Sequence, residues 1–202
     1  MERAVYTIGH SNHALTRFLQ LLRVHRIDAI GDVRSSPYSS RHPWFGREAL
    51  QRALHASGIA YVFLGASLGA RPSDPECTID GRVSFARLAE TPTFRAGLDR
   101  VLRGSVSHRL ALLCAEKEPL HCHRAILVGR ELARRGVRVH HILADGTLER
   151  HEESERRLLA LVGLSQGDLF ESPEALLARA YDLQGTRIAW ARPLPSPPDS
   201  AG

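Results

Sequence analysis

This sequence predicts a single three-layer α/β domain with a mostly parallel, Rossmann-like sheet, and three observations carry that reading. Short β-rich or continuously apolar runs alternate with stretches whose apolar residues recur at helical spacing, the pattern of βαβ units. Glycines stand at several hand-overs, at Gly9, Gly58, Gly136 and the Asp145-Gly146 pair, where a chain must turn or a helix must stop. At 202 residues, 43% hydrophobic and 24% charged, the chain has the composition of an ordinary globular protein and the size for one core.

Residues 4–8 (AVYTI) read as the first strand, broken at Gly9. Leu15, Phe18, Leu19 and Leu22 then fall on one helical face, with Ser11, Asn12 or Thr16 as candidate cap. Residues 27–33 (IDAIGDV) read as the second strand and end in a hydroxyl-rich loop, residues 34–41, with an arginine at either side. Residues 45–57 predict a helix stopped by Gly58, and residues 59–64 a third strand of strong β-formers.

Residues 65–81 hold three glycines and two prolines and are expected to form a long functional loop, such as a lid. Helical spacing resumes over residues 85–103, interrupted at Thr91-Pro92-Thr93, where Pro92 suits the first turn of a new helix. The run 110–113 (LALL) is a buried strand and 125–135 an amphipathic helix. Residues 137–143 form a fifth strand, on which His140 and His141 face opposite sides. Residues 149–162 and 172–181 predict two more helices, the second capped by Ser172, and residues 187–190 a short edge strand. No internal repeat or boundary divides the chain, so the domain is expected over residues 1–192 and a disordered proline-rich tail over 193–202.

No segment has signal-peptide character or the roughly 20 apolar residues of a membrane span, so a soluble cytoplasmic protein is expected, without membrane partners. Three cysteines cannot all pair, and no CxxC spacing occurs, so reduced thiols are expected. The net charge of +5 and pI of about 9.6 invite a nucleic-acid reading. All but one of the 27 basic residues are arginine, however, and they spread along the whole chain, as a coding bias toward arginine would leave them. A few arginines in a pocket would still grip carboxylates or phosphates bidentately.

The chemistry concentrates in residues 110–124, LALLCAEKEPLHCHR, where a strand hands over to a helix. In open α/β sheets that junction is the usual ligand crevice. Glu116 shares a strand face with Cys114 and is the candidate general acid or base, with His10 and Cys122 as further catalytic candidates. Ser11, Asp32, Arg34, Ser35, Arg41, His123 and Arg124 are candidates for binding an anionic substrate, Asp32 orienting Arg34 from two residues away.

Cys114, Cys122, His121, His123 and His10 supply donors suited to zinc, but no pair has CxxC or HExxH spacing, so no metal ligand is assigned and the cofactor stays open. Nine residues separate Cys114 from Arg124 and one separates Cys122 from it. Neither spacing suits the Cys-to-Arg phosphate loop of a thiol phosphatase, and the glycines of a tight phosphate cradle are missing.

Several motifs recur together: TIGHS at 7–11, DVRSSPYS at 32–39, GIAY at 58–61, LGA at 68–70, LLCAE at 112–116, CHR at 122–124 and AYDLQGTRIAW at 180–190. In these the chain resembles the DUF488 family along nearly its whole length. The resemblance implies an α/β fold with the signature residues gathered at one end, and it assigns no activity.

Two function classes follow. The residues above either form a catalytic pocket for an anionic, phosphate-bearing, nucleotide or nucleic-acid substrate, or bind such a ligand or a metal without chemistry. The first is preferred, because a carboxylate, imidazoles and a thiol exceed what anion binding needs.

Overall fold

The computed structural model describes residues 3–165 and 171–191; the stretch 193–202 lies outside them. The chain opens with β1 (Ala4–Gly9), α1 (Leu15–Val24) and β2 (Ala29–Asp32), then a 3-10 turn (Pro43–Phe45), α2 (Arg47–Ala56) and β3 (Ala60–Phe63). A short α3 (Gly65–Leu68) leads to the two-stranded hairpin β4 (Thr78–Ile79) and β5 (Arg82–Val83), followed by α4 (Phe85–Glu90) and α5 (Pro92–Ser107). After β6 (Leu110–Cys114) come a 3-10 turn (Pro119–His121) and a wide π-helical segment (Arg124–Gly129) that continues into α6 (Arg130–Arg134). β7 (Arg138–Ile142), β8 (Leu148–Arg150), α7 (His151–Leu161) and α8 (Pro173–Ile188) complete it.

The main sheet has the order β3-β2-β6-β1-β7-β8. Its first five strands are parallel and β8 runs antiparallel to β7. Alternating side chains send Tyr6, Ile8, Ile30, Ala111 and Leu113 to one face, where they pack with Phe18, Leu21 and Leu22 of α1 and Leu50 and Leu54 of α2. Val5, Ala29, Leu110, Leu112 and Val139 go to the other face, against Phe94 and Leu98 of α5, Leu127 and Val128 of the π segment, and Leu132 of α6. This is the expected three-layer α/β domain.

The connections fix where a ligand crevice must open. β1 and β2 leave through helices on one face, while β6, hydrogen-bonded between them, leaves through the π segment on the other. Neighbouring strands whose crossovers diverge to opposite faces make a topological switch point at their carboxyl ends.

Several elements differ from expectation. Residues 65–81 are not one loop. Asp80 and Gly81 have φ of 48° and 76° and close the β4–β5 hairpin, the positive-φ pair that an Asp-Gly two-residue turn demands. Residues 187–190 form no edge strand, because α8 continues to Ile188 along the buried stripe Leu176, Ala180, Tyr181 and Gln184. Only beyond it does Ala191 bridge to Arg82.

The residue 149–162 helix begins at His151, since Leu148–Arg150 pair with β7 as the missed sixth strand. That pairing depends on a turn in which the Asp145 carboxylate accepts the Thr147 amide and hydroxyl. Gly46 separates the Pro43–Phe45 turn from α2, so the helix expected from residue 45 starts at Arg47.

Candidate functional site

At the switch point the ends of β1, β2 and β6 meet around a cavity of about 420 Å³. β1 and β6 stay paired past their last strand residues, because the amides of His10 and Ser11 donate to the carbonyls of Cys114 and Ala115 at 2.9 and 2.8 Å. Gly9 makes this approach possible: a Cβ there would stand 1.8 Å from the Glu116 carbonyl oxygen. Gly65 serves the β2 end in the same way, since its Cβ would lie 1.9 Å from the Arg34 carbonyl oxygen.

Arg34 forms the basic wall. It is buried, and its Nε and NH2 donate to the Asp32 carboxylate at 2.9 and 2.6 Å, while its NH1 donates to the Phe45 carbonyl at 2.8 Å. Burial works against this guanidinium's charge, but the Asp32 hydrogen bonds and charge outweigh it and raise its pKa. Of five guanidinium protons, one on each terminal nitrogen has no partner among the described residues. Tyr61 hydroxyl donates to the same Asp32 carboxylate at 2.8 Å and completes the clamp.

The acidic wall is Glu116 with two thiols. Its Oε2 lies 2.9 Å from Cys114 Sγ and 3.0 Å from Cys122 Sγ. The residue's outer surface is exposed, yet this carboxylate turns inward against buried sulfur. Burial, then the Cys122 charge, raise the Glu116 pKa. Burial raises the Cys114 thiol too, with Cys122 adding to it. Cys122 is the exception. Burial pushes it up, but a hydrogen bond from Cys114 and the charges of Arg124 and His123 draw it well below the ordinary thiol range.

Those charges come from the start of the helix. His123 is buried, with Nε2 donating to the Val33 carbonyl at 3.1 Å and Nδ1 lying 3.7 and 3.8 Å from the Cys114 and Cys122 sulfurs. Burial alone would lower this imidazole, but the Cys122 hydrogen bond and charge raise it. The Arg124 amide donates to Cys122 Sγ at 3.4 Å, as amides at a helix start stabilise a thiolate.

The remaining expected residues fall into two sets. His10, Ser35 and His123 line the cavity with Arg34, Glu116 and Cys122. His10 stacks on Phe45 at 4.4 Å between ring centroids, and burial lowers its pKa to about 4, so it is neutral at pH 7. Ser11, Asp32, Arg41 and Arg124 do not line it. Ser11 adopts φ 49° and turns its hydroxyl toward Asn12, and Arg41 is exposed on the loop.

Arg124 has no exposed surface; it donates to the carbonyls of Glu116 and Lys117, so it holds the loop that carries Glu116. Its Nε has no partner among the described residues.

Sequence reasoning passed over Arg71 and Trp190, which meet at 5.7 Å from guanidinium carbon to ring centroid and close the rim of the cavity. No local pattern signals a contact between the α3–β4 connection and the end of α8. Cys114, buried in the core at the end of β6, also brings its sulfur to the acidic wall. Cys114, Cys122 and His123 also form a compact donor set able to hold a metal ion, their ligand atoms all within 4.8 Å of one another.

Among the described residues no helix is long and apolar enough to cross a membrane. Comparison with known proteins finds no match among curated proteins or solved structures. A family model described as a domain of unknown function, DUF488, matches residues 14–130. That range contains the ends of β2 and β6 and the CHR motif, and leaves the TIGHS and AYDLQGTRIAW segments outside it. The match spans more than half of the chain, which therefore belongs to the DUF488 family.

Proposed function

We propose that the cavity at the carboxyl edge of the sheet is an enzyme site for an anionic substrate of the phosphate-ester or nucleotide class. The observation that carries this reading is the opposition, across one cavity, of a buried arginine locked by Asp32 and a carboxylate held between two thiols. The unpartnered protons of Arg34 would take the anion, and Arg71 adds a second cation at the rim. Because Asp32 and Phe45 already fix the guanidinium, little side-chain order is lost on binding.

Glu116 is the proton carrier in this reading. Its raised pKa brings it toward the range in which a carboxyl group can both give and take a proton near neutrality. His10, uncharged and stacked on Phe45, supplies a flat wall, and half-buried Trp190 at the rim supplies another. Such surfaces suit a base or another planar group attached to the anion.

Calorimetric titration with a panel of nucleotides and phosphate monoesters, paired with a turnover assay on each binder, tests this. At least one member is expected to bind wild type and Glu116→Gln alike, with turnover lost in the variant by roughly 10²-fold or more. A panel without any binder, or a Glu116→Gln variant that turns over like wild type, overturns the reading.

A further inference from the structure

The two thiols and the imidazole at the cavity floor are arranged more closely than proton transfer by Glu116 requires. We propose that Cys114, Cys122 and His123 bind one divalent cation of the zinc class, with Glu116 as an exchangeable fourth ligand facing the cavity.

The distances fit such an ion. With metal–sulfur and metal–nitrogen bonds of about 2.3 and 2.0 Å at tetrahedral angles, sulfur-to-nitrogen edges come to about 3.5 Å. His123 Nδ1 lies 3.7 Å from Cys114 Sγ and 3.8 Å from Cys122 Sγ. The imidazole is also oriented for the task. Its Nε2–H donates to the Val33 carbonyl at 3.1 Å, which orients the ring and turns Nδ1 toward the sulfurs, where an ion would replace the Nδ1 proton. Metal-bound histidines are typically held by such a bond from the other ring nitrogen.

The ligands sit on firm supports: Cys114 ends the central strand β6, and Cys122 and His123 open the π-helical segment. Two thiolates would balance a dication, and the Arg124 amide already donates to Cys122 Sγ as amides do to metal-bound sulfur. Two sulfurs and one imidazole favour zinc-like ions over magnesium or calcium, which prefer all-oxygen sets.

Glu116 gives the site its open side. Its Oε2 touches both sulfurs, and Glu116, Cys114, Cys122 and His123 all line the cavity. Three protein ligands plus one replaceable position is the pattern of a working metal centre, whereas a structural zinc is enclosed by four. The only step required is ligand exchange: the carboxylate leaves the ion, a water or substrate oxygen takes its place, and no electron is transferred.

Ion binding is independent of the anion reading and is tested without a substrate. The reduced full-length chain is titrated with Co²⁺ and followed by visible and near-ultraviolet absorption, with Zn²⁺ then added in competition. The expected result is saturation near about one equivalent, with the d–d bands of tetrahedral cobalt and thiolate-to-cobalt charge transfer, both erased by zinc. Glu116→Gln should keep the charge-transfer band while changing the d–d envelope. His123→Gln should weaken binding by roughly 100-fold.

A folded, reduced wild type that develops no thiolate-to-cobalt band overturns the proposal, whatever the variants do. So does a protein isolated with a Cys114–Cys122 disulfide that, once reduced, shows only the octahedral spectrum of loosely held cobalt.

Discussion

Two buried polar systems lie on this fold, and they are built in opposite ways. One is the chain Thr7, His141, His151, Tyr181 and Glu155, which threads from β1 through β7 and α7 to α8. Thr7 Oγ1 meets His141 Nδ1 at 2.7 Å, His141 Nε2 meets His151 Nδ1 at 3.0 Å, His151 Nε2 meets the Tyr181 hydroxyl at 2.9 Å, and that hydroxyl donates to Glu155 at 2.9 Å. A single proton arrangement satisfies every link with both imidazoles neutral.

The other system is the cavity cluster of Arg34, Glu116, Cys114, Cys122 and His123, which leaves arginine protons without partners and crowds three acids into one space. Buried polar groups that pair fully act as structure. Groups that remain unpaired beside a cavity are the ones free to meet a ligand, and the proposed site rests on this contrast.

The contrast makes a two-way prediction, whose largest effect is on chemistry. Glu116→Gln is expected to lower turnover by about 10²- to 10⁴-fold, measured at saturating substrate, with an unchanged unfolding midpoint. A midpoint that falls as far as it does for the chain variants below would erase the distinction.

Next in size is the acid response of the closed chain. Burial lowers His151 to about 4 and depresses His141 as well, so both are neutral in the folded state. The unfolded chain takes up protons below about pH 6.5 and the folded chain does not. Stability is therefore lost as pH falls from about 6.5 toward 4. For His151, which is 2% exposed, that loss is roughly 3 kcal/mol. Denaturant midpoints at pH 7 and pH 5 should separate for wild type and separate less for His151→Phe, in which buried His141 and His10 keep their share of the loss.

A smaller effect is expected from Tyr181→Phe, which removes a partner from His151 Nε2 and from Glu155. It should cost about 1–2 kcal/mol of stability, with ligand affinity at the cavity unchanged. Smallest is Arg71→Ala, a rim cation over Trp190. About a three- to ten-fold loss of anion affinity is expected, read by calorimetry, with turnover of bound substrate retained.

Much of this frame was legible in the sequence because it depends on neighbours. The β-α rhythm came from periodicity, and the Asp32–Arg34 clamp from two residues spaced to share a strand face. Ser172 and Pro92 open their helices as their residue types require.

What stayed hidden depends on distant segments meeting. Cys114 and Cys122 come together only because the Pro119–His121 turn folds the chain back on itself before the π segment. The His141–His151 link needs β8 to pair with β7 before α7 begins, and that three-residue strand is too short to show alternation. Arg124 was expected to reach outward to an anion. It lies behind the cluster because the wide helical turn points its guanidinium at the Glu116 and Lys117 carbonyls. The β4–β5 hairpin was readable from Asp80-Gly81 but was submerged in a stretch rich in glycine and proline.

The most direct test of the open cluster as the working site is a crystal structure of the protein soaked with the phosphate and nucleotide panel. The account predicts ligand density between Arg34 and Glu116, its anionic group on the free guanidinium protons and its planar part against His10 or Trp190. Density confined to the separate cavity beside Arg130 and Tyr181, with the Arg34 cavity empty at saturating ligand, would contradict it.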